Sequence, residues 1–172
     1  MPRLILYRHA KSDWNFPELT DKQRPLNSRG QKAAPEMAWY LTDQNLFPNL
    51  ILCSSSQRTR ETLIPVLALM TQETEIRLLD QVYDDGDFDY LELIRTHGGT
   101  AETLMVIGHN PATEISAQSF VKDGSGPQWD DMRTKYPSGA IAVIDFKISS
   151  WADLALETGQ FVSFTKPRDL MS

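Results

Sequence analysis

Leu4-Ile5-Leu6-Tyr7 is an uninterrupted apolar run that ends at the charged pair Arg8-His9. Two further runs of the same kind follow, Leu50-Ile51-Leu52-Cys53 and Leu104-Met105-Val106-Ile107. Apolarity that is continuous and does not alternate is typical of strands covered on both faces, as in a parallel sheet between helices. The three runs therefore predict an α/β fold with a mostly parallel central sheet.

Helical segments separate the predicted strands, and short polar stretches join them. The predicted helices span residues 28–43, 57–70, 88–96 and 111–120, and the further predicted strands span 75–79, 140–146 and 160–164. Residues 80–87 are predicted as an acidic loop, and 121–138 as a long loop that borders an active site. Strands alternating with helices along residues 1–172 indicate a single domain with helices on both faces of the sheet.

Composition excludes several classes of protein. The chain has 172 residues, 41% of them hydrophobic and 23% charged, without an apolar stretch of the roughly 20 residues that span a bilayer. The start lacks a signal-peptide pattern, so we expect a cytoplasmic protein that does not bind membranes. Cys53 is the only cysteine, which excludes an internal disulfide. The net charge of −6 argues against nucleic acid as a partner.

Chemically active side chains follow each of the three apolar runs. In an open parallel sheet, ligands bind beyond the carboxyl ends of the strands. The first run leads into Arg8 and His9, the second into residues 54–58, and the third into Gly108-His109-Asn110. We therefore expect these residues to meet in one crevice although they are distant in sequence.

Arginine and histidine in one crevice favour phosphoryl chemistry. Arg8 and Arg58 can each offer a planar fork of donors to phosphate oxygens, and Arg58 falls in the first turn of a predicted helix, where an anion is favoured. A neutral imidazole is a nucleophile near pH 7, and His9 is the candidate for that role. A metal site is disfavoured because two arginines would repel a divalent cation. We expect neither a metal nor an organic cofactor.

These motifs resemble the histidine phosphatase superfamily, also called the phosphoglycerate-mutase-like family, and within it the SixA-type phosphohistidine phosphatases. The resemblance rests on residues 8–12, on Arg24-Pro25-Leu26 with Gly30, on the segment around Arg58, and on Gly108-His109-Asn110-Pro111. It implies that His9 becomes phosphorylated, that Arg8 and Arg58 bind the phosphoryl group, and that His109 donates to its oxygens. It also implies that Asn15 contacts the phosphate.

One departure from the family pattern bears on the substrate. Larger members carry a glutamate general acid where this chain has Gln81, and Asp80, Asp84 and Asp85 are the nearby carboxyl groups. An alkoxide leaving group needs a proton in the transition state, where a general acid contributes about 10² to 10⁴-fold. Imidazole leaves more easily, so the departure favours phosphohistidine as the bond that is cleaved.

Three functions fit the sequence. The first is a phosphatase that dephosphorylates phosphohistidine on a protein through a phosphorylated His9. The second is a phosphatase or mutase with the same pocket that acts on a small phosphate ester and has a working acid near Asp84 and a closed, basic substrate cleft. The third is a module that binds phosphorylated protein without turnover, although binding alone would not need a nucleophile.

Overall fold

A six-stranded sheet forms the centre of residues 1–171, the part of the chain that this computed structural model describes. The strands are β1 (Arg3–Arg8), β2 (Leu50–Ser54), β3 (Glu75–Leu79), β4 (Thr103–Gly108), β5 (Ile141–Asp145) and β6 (Gln160–Thr165). Their order across the sheet is β3-β2-β4-β1-β5-β6. The first four strands are parallel, whereas β5 and β6 are antiparallel to their neighbours. The predicted mostly parallel sheet is confirmed.

Helices cover both faces of this sheet, as predicted. They are α1 (Ser28–Asp43), α2 (Gln57–Leu69), α3 (Asp80–Asp84), α4 (Leu91–His97), α5 (Ala112–Ser119), α6 (Pro127–Thr134) and α7 (Pro167–Leu170). Successive side chains of a strand point to opposite faces. In β1, Ile5 accordingly packs in a core cluster with α1 and α2, and Leu6 packs in another with α4, α5 and α6. No helix of residues 1–171 is long and apolar enough to cross a membrane.

Two segments that were predicted as loops contain helix. Residues 80–87 form α3 and a 3-10 turn, Asp85–Asp87, and Val82 fixes α3 to the core with no exposed surface. Within residues 121–138, α6 begins at Pro127 and buries Trp129 and Met132. Each helix is short and is held by one or two apolar side chains, so neither repeats an apolar pattern often enough to give a periodic signal.

The carboxyl ends of β1, β2 and β4 lie side by side at one edge of the sheet. In the parallel register, Arg8 of β1 lies opposite Gly108 of β4, and Cys53 of β2 lies opposite Ile107. Gly108 also lies against a buried tyrosine, because a Cβ atom there would be 2.3 Å from the Tyr90 hydroxyl. The residues that follow the three strands are thereby brought together.

Candidate active site

A cavity of about 560 Å³ opens at these carboxyl ends. Its lining brings together the four residues that were predicted to share a site: Arg8, His9, Arg58 and His109. It also contains residues from the segment between β1 and α1 and from the turn after β3. The other lining residues are Lys11, Ser12, Trp14, Asp21, Arg24, Tyr83, Asp84, Gly86, Asp87, Asn110 and Ser138. We call this space the phosphoryl cavity.

His9 is buried at the cavity wall with one ring nitrogen engaged. Its Nδ1 lies 2.7 Å from the carbonyl oxygen of Ala10. A carbonyl oxygen only accepts, so Nδ1 carries the proton and the lone pair of the neutral ring is on Nε2. Burial lowers the pKa of His9 well below its usual range, and the charges of His109 and Arg58 act in the same direction. At neutral pH the ring is therefore uncharged, as the predicted role of His9 as nucleophile requires.

His109 lies beside His9, with the ring centroids 5.3 Å apart, and it holds the opposite tautomer. Its Nδ1 lies 3.4 Å from Nη2 of Arg58, and its Nε2 lies 2.8 Å from the Ser54 hydroxyl. A guanidinium only donates, so Nδ1 accepts and Nε2 donates to Ser54. Burial, assisted by the charge of Arg58, lowers the pKa of His109 to about 3. His109 is thus neutral beside a cation.

Arg58 is held by Asp21, a residue that the sequence analysis did not single out. Its Nη1 donates to the backbone oxygen of Asp21 at 2.7 Å, and its Nη2 donates to the Asp21 carboxylate at 3.1 Å. The Tyr83 hydroxyl and Nε of Arg24 donate to the same carboxylate, at 2.7 and 3.1 Å. Partial burial opposes ionisation, but the Tyr83 hydrogen bond and the charge of Arg58 lower the pKa of Asp21 to about 2. An internal anion therefore sits on a predicted phosphate-binding cation.

Arg24 adds a third guanidinium to the cavity. Its Nη1 donates to the Ser12 hydroxyl at 2.8 Å, and its guanidinium carbon lies 3.5 Å from the ring centroid of Trp14. The Trp14 side chain is 74% exposed, so the pair forms part of the cavity mouth. In the sequence, Arg24 is marked only by its place in the motif Arg24-Pro25-Leu26 of the family resemblance. Arg24 follows Asp21 by three residues, a spacing that brings the two side chains together in a helical turn, and this spacing could have predicted their ion pair.

Two guanidinium groups have donors that the described residues leave unused. In residues 1–171, the Nε atoms of Arg8 and Arg58 are buried without a hydrogen-bond partner. The Nη1 of Arg8 donates to the backbone oxygen of Tyr136 at 2.8 Å, which fixes its direction. Buried donors in proteins are nearly always satisfied, so unused donors at a cavity indicate a ligand with acceptor oxygens.

Asn15 is not brought to the cavity. It is exposed, it lies outside the cavity lining, and its backbone N–H donates to the Asp13 carboxylate at 2.8 Å. Phosphate contact by Asn15 remains a prediction from the resemblance, and the residues of the 12–21 segment that line the cavity are Ser12, Trp14 and Asp21.

The acidic segment after β3 presents different residues from those expected. Gln81 lies outside the cavity lining, where its amide bonds Asp85 and His97. Asp84 and Asp87 line the cavity and are exposed. Asp80 pairs with Lys22 at 2.8 Å. The carboxyl groups nearest the reacting space are thus Asp84, Asp87 and Asp21, and position 81 is turned away from it.

Within residues 1–171, no group of three or more His, Cys, Asp or Glu side chains is arranged to hold a metal ion. Nε2 of His97 bonds Oε1 of Gln81, and its Nδ1 lies 3.3 Å from Nη1 of Arg77, at the end of α4.

Known proteins are similar to this chain in both sequence and fold. Residues 4–85 match the family model of the histidine phosphatase superfamily, branch 1. A protein of Mycobacterium leprae is 30% identical over 167 residues, which cover 94% of this chain and 99% of that protein. A structure from Nakamurella multipartitia, provisionally named phosphohistidine phosphatase SixA, has a TM-score of 0.81 at 26% identity and covers 96% of both chains. One from Agrobacterium tumefaciens, with the same provisional name, has a TM-score of 0.79 at 27% identity and covers 96% of this chain and 97% of its own.

Proposed function

Since the chain belongs to the histidine phosphatase superfamily and to its SixA-type branch, we propose that it removes the phosphoryl group from phosphohistidine on a protein. The enzyme is a phosphatase with a histidine nucleophile, and its substrate is phosphorylated. The observation that carries the proposal is the free Nε2 lone pair of His9, fixed by the Nδ1 hydrogen bond to Ala10. His9, Arg8, Arg58 and His109 are the residues to which we assign the chemistry.

The first step transfers the phosphoryl group to His9. Nε2 of His9 attacks phosphorus, and the bond from phosphorus to the substrate nitrogen breaks with its electron pair going to that nitrogen. When the other nitrogen of the substrate ring carries a proton, the imidazole leaves in its neutral form and needs no general acid. Arg8 and Arg58 bind the phosphoryl oxygens, and their charge stabilises the transition state.

The second step regenerates the enzyme. Water attacks the phosphorus of phosphohistidine 9, the bond to Nε2 breaks, and the electron pair returns to the imidazole. The proton lost by water passes to phosphate or to solvent. His109 joins in by taking a proton on Nδ1 once a phosphoryl dianion lies beside it, because a nearby anion raises the pKa of an imidazole. It then donates from Nδ1 to a phosphoryl oxygen.

A second candidate function is hydrolysis of a small phosphate ester. Asp84 lines the cavity, where a carboxyl group that holds a proton would assist an alkoxide leaving group. In that case Asp84→Asn would lower kcat for alkyl phosphates by about 10²-fold or more and leave phosphohistidine turnover unchanged. The substrate panel below separates the two functions.

The test is to trap the phosphoenzyme. Incubation with a phosphohistidine peptide should label wild type with an acid-labile, alkali-stable phosphoryl group. His9→Ala should form no labelled protein and lose at least about 10³-fold in kcat, because the covalent intermediate is lost. His97→Ala is the matched control, since His97 lies outside the cavity lining, and it should keep both labelling and turnover. Circular dichroism should confirm that each variant is folded.

Either of two results contradicts the proposal: full turnover by His9→Ala, or absence of phosphohistidine in wild type with every donor. Aryl and sugar phosphates should be hydrolysed more slowly than the phosphohistidine peptide, and the reverse order would favour the ester phosphatase. A cytoplasmic location remains a prediction from the sequence.

A further inference from the structure

A second groove, of about 670 Å³, adjoins the phosphoryl cavity. The two share Arg8, Lys11 and Ser138 in their linings. Among the described residues, no aspartate or glutamate lines this groove. We call it the basic groove, after the seven cations in its lining: Arg8, Lys11, Arg29, Lys32, Lys135, Lys166 and Arg168.

Six of these cations have no carboxylate partner in residues 1–171, so their charge is not compensated within the described chain. Seven of the 17 Lys and Arg side chains lie within 4.0 Å of a carboxylate, which leaves ten in residues 1–171 without such a partner. Six of those ten line the basic groove. The seventh cation of the groove, Lys166, pairs with Asp131 at 2.8 Å. Most of the uncompensated positive charge of an acidic protein is therefore collected at one place.

Like charges that are collected in one groove repel one another, so the arrangement favours an anionic partner. The cations come from separate parts of the chain: Arg29 and Lys32 from α1, Lys135 from the segment before β5, and Arg168 from α7. Their meeting at the groove is a product of the fold and does not follow from a single charged run in the sequence. The shared Arg8 places this anionic partner beside the phosphoryl cavity.

The exposure of these side chains indicates how large the partner is. Lys11, Arg29, Lys32, Lys135 and Arg168 are all exposed. A site for a small molecule converges a few buried polar groups on its ligand. Exposed charges on long side chains instead steer a protein of complementary charge and set its orientation. Trp14, an exposed aromatic at the cavity mouth, is also typical of protein interfaces.

We propose that the basic groove docks an acidic face of the phosphorylated protein while its phosphohistidine enters the adjoining cavity. The inference rests on the proposed function and names the partner's surface chemistry. Docking of this kind raises the rate of productive encounter more than the rate of chemistry, so it acts on kcat/KM and weakens with salt.

Two phosphohistidine peptides of equal length test the proposal, one flanked by glutamates and the other by glutamines. Wild type at about 0.05 M salt should prefer the glutamate peptide by about tenfold in kcat/KM, and the preference should shrink at about 0.5 M. Arg29→Glu with Lys32→Glu should reduce that ratio to about one or below, since the groove then repels the acidic flank.

The matched control is Lys122→Glu with Lys147→Glu, which changes the net charge equally. Both lysines are exposed and unpaired in the described chain, and they follow α5 and β5 at the opposite edge of the sheet. This control should keep the wild-type preference. If the control loses the preference as fully as the groove variant does, the preference depends only on the net charge of the enzyme. That result would overturn the proposal.

The remaining outcomes separate docking from catalysis. Equal kcat/KM for the two peptides in wild type overturns the docking proposal and leaves the proposed function standing. Failure to hydrolyse either peptide rejects the proposed function and the docking proposal with it. Inhibition by inorganic tripolyphosphate that disappears in the groove variant, without any peptide preference, would assign the groove to a small polyanion and overturn docking of a protein.

Discussion

His9 and His109 have the same side chain and lie in contact, yet they carry their protons on different nitrogens. The partner of each ring decides this: a carbonyl oxygen on Nδ1 of His9, and a guanidinium on Nδ1 of His109. Neighbouring guanidinium groups and burial keep both rings uncharged. His9 thus has the free Nε2 that its proposed attack on phosphorus needs, whereas Nδ1 of His109 accepts a hydrogen bond from Arg58.

The tautomers can be observed directly. In two-bond ¹H–¹⁵N correlation spectra of the ligand-free protein, His9 should show a protonated Nδ1 and His109 a protonated Nε2. Both rings should remain neutral at about pH 6, where an ordinary imidazole with a pKa of about 6.5 is mostly charged. His9→Asn assigns the signals. A ring that is protonated on both nitrogens at that pH would contradict the assignment for that residue.

Ser54 is a positioning residue for His109, since its buried hydroxyl accepts from Nε2. Ser54→Ala leaves a buried N–H without its acceptor and should lower the free energy of unfolding by about 1–3 kcal/mol. It should also increase the Nδ1-protonated fraction of His109 in the NMR spectrum, which a purely structural role would not do. Chemical denaturation and NMR measure the two effects.

Ser119→Ala is the matched control for this substitution. The Ser119 hydroxyl is buried without a hydrogen-bond partner in residues 1–171, so its removal should change stability by about 0.5 kcal/mol or less. Equal losses in the two variants, with an unchanged His109 spectrum, would mean that Ser54 does not position the ring.

Residues at strand ends were predictable, and those in the connecting segments were not. Arg8, His9, Arg58 and His109 follow apolar runs whose carboxyl ends must share an edge of a parallel sheet. Asp21 and Tyr83 reach the same place from segments whose course the sequence leaves open. Nothing local distinguishes Asp21 from other surface aspartates until the fold brings Arg58 to it.

The helix α1 positions the segment that follows β1 through the close approach of Gly30. A Cβ atom on Gly30 would be 2.1 Å from the carbonyl oxygen of Lys11, which is two residues after His9. The backbone of α1 and the backbone of the segment that follows β1 therefore touch, with no space for a side chain between them. The Gly30 N–H also donates to Oδ1 of Asn27, the N-cap residue of α1, at 2.9 Å.

Gly30→Ala should destabilise the protein, although replacing glycine by alanine usually stabilises a helix. Alanine is ordinarily favoured over glycine by about 1 kcal/mol. Here the added methyl must displace backbone, so we expect a loss of about 2 kcal/mol in stability. We also expect a fall in kcat, because His9 and Lys11 belong to the displaced segment. Thermal unfolding and steady-state kinetics measure both effects.

Glu36→Ala, at an exposed site of the same helix, serves as the comparison and should leave kcat unchanged and stability within about 0.5 kcal/mol. A Gly30→Ala protein that is more stable than wild type would show that α1 and the segment that follows β1 do not touch as described.

Elements with a strong periodic or continuous apolar pattern were predicted to within a few residues. The helix predicted over 28–43 coincides with α1, and the three apolar runs lie within β1, β2 and β4. The short helices α3 and α6 were not predicted, because a single turn or two held by Val82 or by Trp129 and Met132 makes no repeating pattern. Tertiary packing decides their structure.

In the molecule as a whole, one sheet is shared by two apolar clusters. Ile5 and Leu6 are adjacent in β1, both are fully buried, and each belongs to a different cluster. Because β1 packs against both clusters, disruption of the packing in one cluster also destabilises the other. We therefore expect the chain to unfold as one cooperative unit.

Ile5→Ala and Leu6→Ala test this expectation. Each should lower the free energy of unfolding by about 2–5 kcal/mol, because it leaves a cavity in a packed core. In urea titrations, far-ultraviolet circular dichroism and tryptophan fluorescence should give the same midpoint for each variant. Separate transitions for the two probes would contradict the single unit. Val162→Ala, on the exposed side of β6, should shift the midpoint little.

In the catalytic cycle that we propose, the Asp21 carboxylate bonded to Arg58 is an internal substitute for phosphate. A phosphoryl group that pairs with Nη2 of Arg58 takes the place of the Asp21 carboxylate, and inorganic phosphate that departs is replaced by the same carboxylate. The cation is therefore not left bare at the end of a turnover, and a tightly held product has an intramolecular competitor that is always present. We therefore expect the Asp21 carboxylate to assist the release of phosphate from Arg58.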